Sequence, residues 1–123
     1  MDMQERPQAW RGIILSCRTS GLRDSPSITA AKAALHGYVL DLATQLCDQG
    51  ITANVISPGY VTDSEFFAGR MTPAGHESRV NATLVKRAGT PEDIAEAVRW
   101  LAGPGGGYVT GQIINVNGGK TAS

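Results

Sequence analysis

The chain lacks an excess of either charge. Its 11 Lys and Arg residues balance 11 Asp and Glu, so the formal net charge at pH 7 is zero. That leaves no electrostatic ground for a nucleic-acid or anionic-membrane partner, and near-zero net charge favours self-association. Cysteine is scarce: Cys17 and Cys47 stand alone, without CxxC spacing. This argues against a disulfide scaffold or a zinc site, and both are expected as buried free thiols in a reducing compartment. No run approaches ~18 apolar residues, so no segment is expected to span a bilayer. The start, Met1-Asp-Met-Gln-Glu-Arg-Pro7, is polar and has no apolar signal core. Asn81-Ala-Thr83 matches a glycosylation sequon, which needs a secretory route to matter. The protein is therefore expected in the cytoplasm. His36 and His76 have no metal-ligating companions nearby in sequence; both read as surface histidines, and no metal site is expected.

What is present is an alternation of two hydrophobic periods. Gly12-Ile-Ile-Leu-Ser-Cys17 is a short apolar run bounded by polar residues, the signal of a buried strand. Arg18 to Ser27 has loop chemistry. A helical pattern then runs from about Thr29 to Asp48, with Ser25 or Ser27 available to cap it and Gly50 to end it. On this helix Leu35, Val39, Leu42 and Leu46 share one face, and Ala34, Tyr38 and Ala43 widen it. A helix apolar beyond one stripe contacts something on a second side, either another layer of its own domain or a second chain. Ile51 to Ser57 is a second strand, closed by Pro58-Gly59. Residues Tyr60 to Lys86 form a long excursion with short helices expected near 64–69 and 74–84; connections of this length are functional or mobile. Thr90-Pro91-Glu92-Asp93 combines a capping hydroxyl, a first-turn proline and two acids, so a helix is expected from there to about Ala102. Gln112 to Val116 supplies a third strand.

At 123 residues the chain is one domain, able to bury roughly 65% of its unfolded surface. The order strand, helix, strand, helix, strand implies parallel βαβ units with right-handed crossovers. The fold class is α/β, a truncated Rossmann-like parallel sheet of about three strands with flanking helices.

Five stretches together resemble the short-chain dehydrogenase/reductase family. They are Ile13-Ile-Leu-Ser16, Ala30-Ala-Lys-Ala-Ala-Leu35, Gly50-Ile-Thr-Ala-Asn-Val-Ile-Ser-Pro-Gly59, Arg87-Ala-Gly-Thr-Pro-Glu-Asp-Ile94 and Val109-Thr-Gly-Gln-Ile-Ile-Asn-Val-Asn-Gly-Gly119. They occur in the family's order and match its C-terminal half. The domain plan is then an N-terminal extension over 1–11, one half-domain over 12–119 and a tail over 120–123. The resemblance implies an NAD(P)-dependent oxidoreductase acting on a carbonyl or alcohol, with NAD or NADP as cofactor.

In the family a tyrosine hydroxyl exchanges a proton with the substrate oxygen. A lysine four residues later lowers the tyrosine pKa and holds the nicotinamide ribose, and a serine at the preceding strand end orients the carbonyl. Carried over by position, Lys32 is retained and Ile28 occupies the tyrosine position. Strand alignment puts Arg18 at the serine position, or Cys17 if the register slips; counting back from Ile28 lands on Ser16. Tyr38 is six residues beyond Lys32, on a different part of the helix, and reads as packing. The resemblance also places Pro58, Gly59, Val61, Thr62 and Ser64 against the cofactor, at the carboxyl end of a strand where open α/β sheets bind ligands. The plain alternative is a proline-glycine turn. Phe66 and Phe67 either begin a substrate cover or pack on the sheet.

Gly103-Pro-Gly-Gly-Gly107 follows a helix and precedes a strand. A pyrophosphate turn does the opposite, so this cluster reads as a connector and the phosphate-binding turn is absent. General acid catalysis contributes roughly 10²–10⁴-fold, so this chain alone is expected to be impaired or inactive. A non-catalytic relative retained for binding or assembly, or a vestigial truncated gene product, is the other reading. Association is expected through helix 29–48 and the strand edge at 12–17, as a homo-oligomer or with another chain, because exposed edges and apolar patches drive it.

Overall fold

The computed structural model describes residues 12–16, 26–62 and 71–120, with Ile28, Thr29 and Lys32 described by their backbone alone. Three strands, β1 (Gly12–Ser16), β2 (Thr52–Pro58) and β3 (Ile113–Val116), form one parallel sheet in the order β1-β2-β3. Three helices, α1 (Pro26–Leu46), α2 (Pro73–Asn81) and α3 (Pro91–Ala102), accompany it. Among the described residues no helix is long and apolar enough to cross a membrane.

The helix boundaries follow from their end chemistry. α1 starts at Pro26, where the missing N–H costs nothing; Ser27 therefore lies inside the first turn and is not the cap, and Ser25 lies outside the described residues. The helix tightens into a 3-10 turn over Cys47–Gln49 and stops at Gly50, whose φ of 66° is left-handed backbone that a side chain would strain. Thr72 caps α2, its hydroxyl accepting from the Gly75 amide. At α3 the Thr90 hydroxyl accepts from the Asp93 amide while the Asp93 carboxylate accepts from the Thr90 amide, a reciprocal capping box. The helix expected near 64–69 lies outside the described residues. The Gly103–Gly107 cluster is a connector: Pro104–Gly106 form a 3-10 turn leading toward β3.

In a parallel sheet residues in register share a face. Ile13, Leu15, Ala53 and Val55 lie on one face, where Val39, Ala43, Leu35 and Leu42 of α1 pack against them. Gly12, in register with Thr52, faces the other way: a Cβ there would come within 3.1 Å of the Ala102 Cα at the end of α3. The two long helices thus cover opposite faces. With strands in sequential order, helices on opposite faces mean that the β1–β2 and β2–β3 connections have opposite hands. The expectation of two right-handed crossovers holds for at most one of them. The intervening loop and α2 give the second connection the slack to pass to the other face.

Burial follows position. Ala53, Asn54, Val55, Ile56 and Ser57 of β2 are all buried, being flanked by a strand on each side and a helix on each face. β3 alternates: Ile113 and Asn115, on the same sheet face as Val55, are exposed where α1 does not cover them, whereas Ile114 and Val116, under α3, are partly covered. Of the two readings of α1, packing within its own domain holds for Val39, which is core, and the large apolar side chains described as exposed on this helix are Tyr38 and Leu40. Cys47 is exposed rather than buried, its thiol donating to the Thr44 carbonyl in the final turn; Cys17 lies outside the described residues.

Candidate functional site

The carboxyl ends of β2 and β3 meet the start of α3, and the segment after β2 is pinned there. Pro58 is in register with Val116, and the Gly59 amide donates to the Val116 carbonyl at 3.0 Å. A Cβ on Gly59 would stand 2.7 Å from the Asn117 Cα, so the close approach of two chain segments accounts for this glycine without a ligand. Beyond it, Val61 bridges to Gly89. The Gly89 amide donates to the Tyr60 carbonyl and the Thr62 amide donates to the Gly89 carbonyl, both at 2.9 Å. The Thr62 hydroxyl donates to that same carbonyl at 3.2 Å. Its proton is thereby committed, and its lone pairs remain able to accept a hydrogen bond.

Arg87 and Asp93 hold the segment against which this turn is pinned. The guanidinium donates to both carboxylate oxygens, at 2.7 and 3.1 Å, a bidentate pair that straddles the capping box. Arg87, together with the Thr90 amide, holds the Asp93 carboxyl well below the usual carboxylate range, and the same pairing raises Arg87. On the outer side of α3, Arg99 donates to Glu92 and Glu96, and this lowers the Glu92 carboxyl.

Tyr60 is buried and meets two residues of α2. Its hydroxyl is 2.8 Å from His76 Nδ1, the two rings meet edge to face at 69° with centroids 5.6 Å apart, and the Arg79 guanidinium carbon lies 5.6 Å from the tyrosine centroid. His76 is exposed, as expected, and is in addition engaged with Tyr60. His36 departs from the surface expectation: it is partly buried, with Nε2 enclosed and without a hydrogen-bond partner among the described residues.

Positions 28 and 32 both lie on α1, one turn apart and so on one face, and position 36 continues that face. Ser16 is the exposed last residue of β1, in register with Ile56. Arg18, Cys17, Ser64, Phe66 and Phe67 lie outside the described residues. The structure therefore brings Pro58, Gly59, Val61 and Thr62 together at one strand end and puts Ser16 at the end of the neighbouring strand. Among the described residues no group of three or more His, Cys, Asp or Glu is placed to hold a metal ion.

Three features escape a reading of the sequence. Asn54 is 1% exposed in the middle of β2; it donates to the Val109 carbonyl at 2.9 Å and accepts from the Gln112 amide at 3.1 Å, fixing the approach to β3. A lone amide in an apolar strand was its signal, since buried polar groups need partners. The Arg87–Asp93 pair was legible in principle from opposite charges flanking a helix cap. The Tyr60–His76–Arg79 cluster had no local signal, because its members meet only when α2 folds back.

The family model described as enoyl-(acyl carrier protein) reductase matches residues 12–121. An acetoacetyl-CoA reductase of Allochromatium vinosum is 40% identical over 91 residues, covering 74% of this chain and 36% of that protein. A 3-oxoacyl-(acyl-carrier-protein) reductase of Vibrio cholerae is 34% identical over 105 residues, covering 82% and 41%. Among solved structures, a 3-oxoacyl-(acyl-carrier protein) reductase from Brucella melitensis superposes with a TM-score of 0.78 at 28% identity, covering 91% of this chain and 42% of that one. The angucycline C-6 ketoreductase LanV with bound NADP gives a TM-score of 0.76 at 25% identity, over 89% and 43%. The chain thus spans under half the length of these relatives. On the match over 12–121, the three-stranded parallel sheet and the superpositions, the chain belongs to the short-chain dehydrogenase/reductase family.

Proposed function

We propose that the chain carries the nicotinamide-binding side of an NAD(P)-dependent oxidoreductase acting on a carbonyl or alcohol, and that by itself it turns over slowly or not at all. The observation that carries the binding part is the strand end at Pro58–Thr62. There the Thr62 hydroxyl, its proton given to Gly89, presents lone pairs suited to the amide N–H of a nicotinamide carboxamide. Pro58 and Val61, both partly exposed, supply an apolar floor. Lys32, on α1, would meet the ribose hydroxyls, as in the resemblance that brought it forward. A bound NAD(P)H supplies the hydride; this chain's residues orient the ring and would have to handle the proton. Ile28 at the tyrosine position can neither give nor take one, and Ser16 remains the candidate to orient a carbonyl.

Ile28 also favours a second reading, a relative kept for binding or assembly. Its support is the edge of β1, unpaired among the described residues, and the exposed Tyr38 and Leu40 of α1, which together suit a homo-oligomer or a complex with another chain. The deciding experiment is calorimetric titration of NADH and NADPH, followed by carbonyl-reductase assays of the Ile28→Tyr variant. Saturable binding that Thr62→Val weakens, with turnover gained only on Ile28→Tyr, is expected. A folded protein that binds neither nucleotide would overturn the oxidoreductase reading and leave the assembly one.

A further inference from the structure

Beside the strand end, on the α3 face of the sheet, lies a cleft of 160 Å³ between the ends of β2 and β3 and the first turn of α3. Its walls are the Tyr60 ring, Val85, Ile94 and Val116. The polar groups that line it look inward to the protein. The Thr83 hydroxyl donates to the Val80 carbonyl at 2.8 Å. Asn117 accepts from the Gly119 amide at 3.0 Å and donates to the Lys120 carbonyl at 3.5 Å. Arg87 and Asp93 neutralise each other at the rim. A guest that draws on the Thr83 proton or on the Arg87–Asp93 pair would have to break these bonds, and the buried Thr83 would be costly to strand. An uncharged apolar guest breaks none. The size is apt: apolar cavities of about 150 Å³ accept benzene in other proteins.

The same tyrosine that walls the cleft seats α2. No side chain of α2 is buried, and among the described residues His76 meets the Tyr60 hydroxyl and Arg79 the ring face. Elements with few buried apolar contacts open locally at low free-energy cost. A guest packed against Tyr60 would restrict its ring, and a fixed ring would give His76 and Arg79 a fixed partner.

We propose that this cleft binds a small uncharged apolar group, of the size of a six-membered ring or a short alkyl chain, and that Tyr60 transmits its occupancy to α2. The proposal does not depend on nicotinamide binding at Thr62. It is tested on the full chain with benzene as probe, followed by methyl NMR of Val85, Ile94 and Val116 and by amide exchange over 73–81. Saturable methyl shifts are expected, with exchange in α2 slowed by at least about threefold on saturation. Ile94→Phe fills the cleft and abolishes the shifts; should that variant misfold, Val85→Trp, at a side chain that is itself exposed, closes the mouth instead. Tyr60→Phe keeps the ring, the Arg79 contact and the methyl shifts, and weakens the α2 response by removing the His76 bond. Shifts that are absent, that never saturate, or that persist in the filled variant overturn the site. An α2 response unchanged in Tyr60→Phe overturns the coupling.

Discussion

β1 and β2 are built from the same kind of residue and meet different fates. Gly12-Ile-Ile-Leu-Ser16 is if anything the more apolar, yet its side chains are only partly covered, while β2, with an asparagine and a serine in it, is buried throughout. Composition is not the cause. β2 has a strand on either side and a helix on either face; β1 has one neighbour among the described residues. In a parallel sheet stability therefore concentrates in the strand that is flanked, and the polar groups admitted there must be paired. Asn54 meets that condition with two hydrogen bonds to the segment leading into β3.

The contrast can be broken most forcefully by matched truncations on one sheet face. Ile56→Ala, at a side chain 1% exposed, should cost about 2–5 kcal/mol in urea unfolding. Ile14→Ala, two positions before Ser16 on the same face, should cost well under half as much. Equal losses would mean that β1 is covered in solution, and the mass of the protein in solution would then exceed that of one chain. Mass falling to a monomer on Tyr38→Ser with Leu40→Ser, the exposed pair rather than buried Val39, would identify the covering surface.

A smaller effect sharpens the polar side of the comparison. Asn54→Ala strands the Gln112 amide and the Val109 carbonyl and should cost about 1–3 kcal/mol. Asn115→Ala, on exposed β3, should stay within roughly 0.5 kcal/mol. Similar values from the two would show that the Asn54 bonds are not what anchors the approach to β3.

The smallest expected effects lie at the α3 cap. Thr90→Ala should cost about 1 kcal/mol. Asp93 is held below its usual value by Arg87 and the Thr90 amide, so its contribution is fully present above the unfolded carboxyl value of about 3.9. It is lost as pH falls below that value toward the folded one. The stability gap between the wild type and Asp93→Asn should be flat from pH 7 to 5 and close below about pH 4. A gap that closes near neutrality would mean another group controls the cap.

Much of the fold was legible because its signals are local. Gly50 stops α1, Thr90-Pro91 opens α3, and the short apolar runs are strands, each within a residue at the ends, whereas α1 begins three residues before the expected Thr29. Cys47 and His36 differ from expectation for the opposite reason: exposure and partnership depend on what packs nearby. Cys47 falls in the last, tightened turn beyond the core, and His76 gains a partner only through Tyr60, sixteen residues away.

By itself, then, the sequence determined the order of strands and helices, the cap of α3, the glycine stop of α1, and the retention of Lys32 without a tyrosine before it, because each of these is decided by neighbours in the chain. Only the tertiary structure decided that α1 and α3 take opposite faces, that β2 is the buried strand, and that Tyr60 links α2 to an apolar cleft. These depend on which surfaces are brought together at a distance, and no local period encodes that.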